Sequence, residues 1–73
     1  MKEHVVQARN ASGVRREVSV YDTQTWGGDD VVKLVIWNTR NTVESSLTLT
    51  PQQARDIASQ LCEVAQSLEE RAS

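Results

Sequence analysis

The chain is poor in the residues that small domains use to hold themselves together. It has no phenylalanine, and two tryptophans and one tyrosine are its only aromatics in 73 residues. The hydrophobic share is 38%, so any core must rest on Val, Leu, Ile and Ala. A lone cysteine, Cys62, excludes an intrachain disulfide, and with a single distant histidine, His4, it excludes a structural zinc site. A domain this small is marginal alone, and oligomerisation is the remaining common remedy.

Other absences narrow the setting. No run approaches the ~20 apolar residues that span a bilayer. No secretory signal follows Met1-Lys2-Glu3-His4, so Asn10-Ala11-Ser12, which matches a glycosylation acceptor, reads as part of a turn. We expect a soluble cytoplasmic protein without membrane contact. The formal charge is −2, and it is unevenly placed. Residues 1–49 carry six basic and six acidic side chains, whereas residues 50–73 set Arg55 and Arg71 against Asp56, Glu63, Glu69 and Glu70. A neutral front half and an acidic tail lack the clustered Lys and Arg on which phosphate binding depends.

The only proline, Pro51, marks the division of the chain. Thr50-Pro51-Gln52-Gln53 combines a capping hydroxyl, proline at the first helical position and Gln three residues after the cap, all of which start helices. Ala54, Ile57, Ala58, Leu61, Val64, Ala65 and Leu68 then recur at three- and four-residue steps, predicting an amphipathic helix over about 51–71. Before it, strands are predicted over 4–9, 14–22, 31–37 and 43–49, from alternation and from turn residues between them. Residues 23–30 read as a flexible connection ending in Gly27-Gly28-Asp29-Asp30. The segment Val31-Val32-Lys33-Leu34-Val35-Ile36-Trp37 is apolar on both sides, which suits a central strand. In the last strand Val43, Leu47 and Leu49 are expected on one side, and Glu44, Ser46 and Thr48 on the other. The expected fold is α+β: a single domain with a four-stranded antiparallel meander and one C-terminal helix packed on one face.

One helix covers one side of a sheet. If Val18, Val20, Leu34, Ile36, Leu47 and Leu49 face it, then Arg15, Tyr21, Val31, Lys33, Val35 and Trp37 point outward, with Val5 and Arg9 from the first strand. A Val-Val-Trp row beside a tyrosine is too apolar for a merely solvated face and marks a contact surface. Three readings compete. The face is the seam of a homodimer. Or it binds another cellular or host protein, with Tyr21, Val35 and Trp37 as contacts, while Trp26 in its loop either tucks under the sheet edge or reaches such a partner. Or the aromatics stack nucleic-acid bases while Arg9, Arg15 and Lys33 meet phosphates. Glu17 and Glu44 interrupt that surface, which places the nucleic-acid reading last.

Catalytic and metal chemistry find little support. His4 reads as a solvated terminal side chain and Cys62 as a small hydrophobe at the edge of the helical stripe. Asp29-Asp30 supplies too few oxygen ligands for a divalent cation. Gly27-Gly28 is not followed by a lysine-bearing helix start, as a phosphate cradle would be. Arg15-Arg16 is a pair whose members point to opposite faces in a strand, and Glu63, Glu69 and Glu70 read as a solvated acidic stretch. No base, nucleophile and orienting group stand together, so we expect no enzyme, no metal and no cofactor.

Two resemblances bear on this. Residues 47–55, Leu-Thr-Leu-Thr-Pro-Gln-Gln-Ala-Arg, look like the closing strand and helix of many short actinobacterial and actinophage proteins without assigned activity. That likeness covers about the last third of the chain and implies a phage or accessory origin. Four antiparallel strands before one helix opened by Leu-Thr-Pro are similar to the single-stranded-DNA-binding positive-cofactor family of transcription coactivators. That similarity implies a homodimer and a nucleic-acid-reading sheet, with Arg15, Tyr21, Lys33 and Trp37 in the reading role. The leading expectation remains a non-catalytic, homodimeric module that engages a partner protein through the uncovered sheet face.

Overall fold

Alternating side chains and short turn sequences build the first two thirds of the chain into a sheet. The computed structural model describes residues 3–72. Strands β1 (Glu3–Arg9), β2 (Arg15–Gln24), β3 (Asp30–Trp37) and β4 (Val43–Leu49) form one antiparallel sheet in the order β1-β2-β3-β4, followed by helix α1 (Pro51–Ala72). The architecture is the expected ββββα.

All three hairpins use the same loop. Its three residues end in one with positive φ: Gly13 at 81°, Gly28 at 85° and Asn41 at 61°. The carbonyls of Asn10, Thr25 and Asn38 accept from those residues' N–H groups at 2.9, 3.0 and 3.1 Å. The side chain at the loop's entrance adds a second layer. Asn10 Oδ1 accepts from the N–H groups of Ser12 and Val14 at 3.0 and 2.9 Å, and Asn38 Oδ1 from Arg40 and Thr42 at 2.9 and 3.1 Å. Thr25 Oγ1 accepts from the Asp29 N–H at 3.3 Å. Short side chains that bond the backbone two to four residues on are favoured at such entrances. Glycine, or failing it asparagine, meets the left-handed requirement at the exit.

The connection expected to be flexible over 23–30 is therefore a tight turn. β2 continues to Gln24, with Thr23 paired to Val31 and Gln24 to Asp30. The Gln24 side-chain amide donates to Asp30 Oδ1 at 3.0 Å and closes the ladder.

The register defines two faces. Val5, Ser19, Val35 and Ser46 form one row across all four strands, flanked by the row Glu3, Tyr21, Lys33, Thr48. This is the Val35 face. Opposite it runs the row His4, Val20, Leu34, Leu47, beside Val6, Val18 and Ile36. This is the Leu34 face. Near Ile36 and Trp37 the register shifts, so that Trp37 pairs with Val43 and Glu44 is the extra residue. A one-residue slip reverses side-chain direction. Val43 thus joins the Val35 face, and Glu44 meets Arg16, whose Nε lies 2.6 Å from Glu44 Oε2. The expected grouping of Val43 with Leu47 fails at this bulge.

Helix α1 starts as its sequence requires. Thr50 Oγ1 accepts from the Gln53 N–H at 3.1 Å, and Gln53 Oε1 accepts from the Thr50 N–H at 3.0 Å. This reciprocal cap satisfies donors that the first turn leaves open. The helix does not roof the sheet, however. Among the described residues it meets only β3 and β4, and only Ala54 and Ile57 along it are half-buried. Leu61, Val64 and Leu68 are 65%, 61% and 53% exposed.

The expected inside and outside of the sheet also need correction. Among the described residues the buried apolar side chains are Val31 and Val35, accompanied by Ser19, all on the face expected to lie open. The aliphatics of the Leu34 face are half-buried or exposed.

Replacing a left-handed glycine adds a Cβ that meets no neighbour within 4 Å at Gly28, so only the backbone cost remains. Gly28→Ala is expected to lose about 1 kcal/mol of stability, and Asn41→Gly to lose none. Urea melts of the two variants check this; an unchanged Gly28→Ala midpoint would contradict the shared loop geometry.

Candidate interaction surface

Trp37 ends β3 and Ser19 lies near the middle of β2, one residue pair further along the same face. The indole N–H of Trp37 donates to Ser19 Oγ at 3.0 Å. The ring is therefore drawn sideways, toward β2. Two residues before Val35, Lys33 leans the other way, its Nζ donating to Thr48 Oγ1 at 3.1 Å on β4. Between these two anchored side chains Val35 is 3% exposed, and Ser19 likewise. Small residues in a central row are thus fenced by long, anchored ones. This is why a valine expected as a contact residue serves as support instead.

Tyr21 and Trp37 remain on that face, both half-buried. Tyr21 stands directly opposite Lys33 in the register. Arg15 lies at the same end of the sheet as Trp37 and is exposed. Arg9 is turned to its own hairpin, with Nη1 donating to the Gly13 carbonyl at 2.8 Å. Of the three basic residues expected to meet phosphates, Arg9 and Lys33 thus hold internal hydrogen bonds. Arg16 is bound to Glu44 and to the Arg15 carbonyl at 2.8 Å.

Trp26 differs from all of these. It is the first residue of the β2–β3 loop, its side chain is fully exposed, and the loop beneath it is held by three hydrogen bonds. It does not tuck under the sheet edge, which was one of two outcomes open from the sequence.

Residue patterning gave no sign of a polar cleft at the opposite end of the sheet. It is lined by Gln7, Arg15, Arg16, Glu17, Asn38, Thr39 and Asn41. Its residues come from three segments that only the register brings together, and Gln7 Nε2 already donates to Glu17 Oε2 at 3.2 Å across it. His4 and Cys62 lie on β1 and α1, two elements that make no contact. No helix among the described residues is long and apolar enough to cross a membrane. Neither the protein-family models, nor the curated proteins, nor the solved structures contain a match to this chain.

Trp37→Phe keeps the ring but removes the donor to a buried hydroxyl, and is expected to cost about 1 kcal/mol in chemical denaturation. Trp26→Ala is expected to change stability by less than about 0.5 kcal/mol, as exposed substitutions do. Tryptophan fluorescence separates the two: Trp37→Phe leaves a red-shifted, readily quenched emission from Trp26. A blue-shifted residual emission would show that Trp26 is covered.

Proposed function

We propose that this chain is a small non-catalytic binding module that works as a homodimer and engages a partner protein through Trp26, with Tyr21, on the Val35 face of the adjoining strand, as a further contact. The observation that carries this reading is a fully exposed tryptophan at the tip of a hydrogen-bonded hairpin loop. Desolvating an indole releases a large apolar area, and a rigid loop loses little conformational entropy on binding. Those two properties make tryptophan a common anchor of protein interfaces.

The separation of His4 from Cys62 supports the non-catalytic part, since the chain's only imidazole and only thiol sit on elements without mutual contact. Protein is favoured over single-stranded nucleic acid as the partner. Arg9, Arg16 and Lys33 each spend donors within the sheet, which leaves fewer of them for phosphates. The overall charge is also negative.

Two titrations test the choice. Against a fluorescent oligothymidine at low salt, the protein is expected to show no saturable binding, and Lys33→Ala no change. Against a native-host extract treated with nuclease, wild type is expected to retain a defined protein that Trp26→Ala loses at least tenfold. Tight oligonucleotide binding that weakens steeply with salt would replace this reading with the nucleic-acid one.

A further inference from the structure

The protomer carries two apolar surfaces that it does not bring together. One is the helical stripe of Leu61, Val64 and Leu68, each more than half exposed. The other is the Leu34 face, where Leu47 is 53% exposed and Val18, Val20, Leu34 and Ile36 are only half-buried. Thr50 is the single residue between β4 and α1, and its reciprocal bonds with Gln53 hold it in the first helical turn. Leu61 is ten residues into that helix, about 15 Å along it at 1.5 Å per residue. With one linking residue the helix approaches the sheet through its first two turns, where Ala54 and Ile57 are half-buried.

The surface area is in keeping with this. A compact chain of 8.2 kDa exposes about 4,500 Å². This one exposes 6103 Å², an excess of about 1,600 Å², whereas one side of an ordinary stable interface needs about 800 Å². The excess is thus twice that need and falls in the range of obligate homodimers. The radius of gyration points the same way, 14.3 Å against about 11 Å for a compact domain of this length.

We propose that the occupant of both surfaces is a second copy of this chain, joined by reciprocal exchange. The outer two thirds of each helix lies on the Leu34 face of the other protomer, so that Leu61, Val64 and Leu68 cover Val18, Leu34 and Ile36 across a two-fold axis. The same pair of surfaces is used twice, as an isologous interface requires. The Val35 face is excluded as the seat because Trp37, Ser19, Lys33 and Thr48 already close it with cross-strand hydrogen bonds. Glu63 and Glu70 fall on the opposite side of the helix by its 100° spacing, which keeps their charges out of the seam.

This assignment specifies the homodimer of the proposed function and is independent of the Trp26 contact. The test is made under reducing conditions, so that Cys62 cannot cross-link the copies. Light scattering on wild type is expected to give twice 8.2 kDa, and Leu68→Glu to weaken dimerisation at least a hundredfold. Because that variant could lose its fold together with its partner, wild type is also examined as a mixture of isotope-labelled and unlabelled chains. Intermolecular NOEs between Leu61 or Leu68 methyls and those of Leu34 or Ile36 are the expected result. A dimer whose intermolecular NOEs run only between helices, or only to the Val35 face, overturns the exchange and leaves the homodimer. A monomer at all concentrations overturns both and leaves the Trp26 reading to its own test.

Discussion

The structure turns on the one-residue connection between sheet and helix, Thr50, which reciprocal hydrogen bonds with Gln53 hold to the first helical turn. One residue leaves little slack between β4 and α1, so the end of the strand closely constrains where the helix can go. A longer connection would let an amphipathic helix fold back and bury its stripe. Here the stripe is carried past the sheet, and the hydrophobic effect is left unsatisfied on both elements. The thin core, with Val31 and Val35 as its buried apolar side chains among the described residues, is a consequence of that geometry.

The sheet compensates on one side. Trp37 and Lys33 use their polar ends to reach Ser19 and Thr48, which lays their apolar bodies over the surface, as amphipathic side chains do. Those bodies help to cover Val35 and Ser19. The middle of the Leu34 face is aliphatic across β2 and β3, with Val18, Val20, Leu34 and Ile36, and reaches His4 and Ser45 only on the edge strands. Its polar clasps include one near each end, Arg16 with Glu44 where the bulge turns Glu44 around and Gln24 with Asp30 at the other. The two faces therefore differ in completeness, and only the unfinished one is suited to a self-complementary partner.

Much of the fold was legible from local patterns. Asn10, Thr25 and Asn38 with left-handed Gly13, Gly28 and Asn41 are a repeated turn signature, although at Thr25 the signal was missed and the turn was read as a flexible linker. The helix start was legible because three residue types with independent physical roles coincide there. What local patterns could not carry was anything that depends on distance. Val35 looked exposed because alternation reports which residues share a face and is silent on what neighbours lean over them. Val43 and Glu44 were misplaced because a bulge leaves no mark in a run of ordinary strand residues. The helical stripe was read as a roof because amphipathicity implies a partner surface without saying whose it is.

The central claim is that one copy of this chain is an incomplete hydrophobic unit. Its most direct test is the thermal midpoint measured across a thousandfold range of protein concentration, since association that is part of folding makes stability depend on concentration. The account predicts a midpoint that climbs steadily with concentration. A midpoint that stays fixed, with a cooperative transition at the lowest concentration, would contradict it.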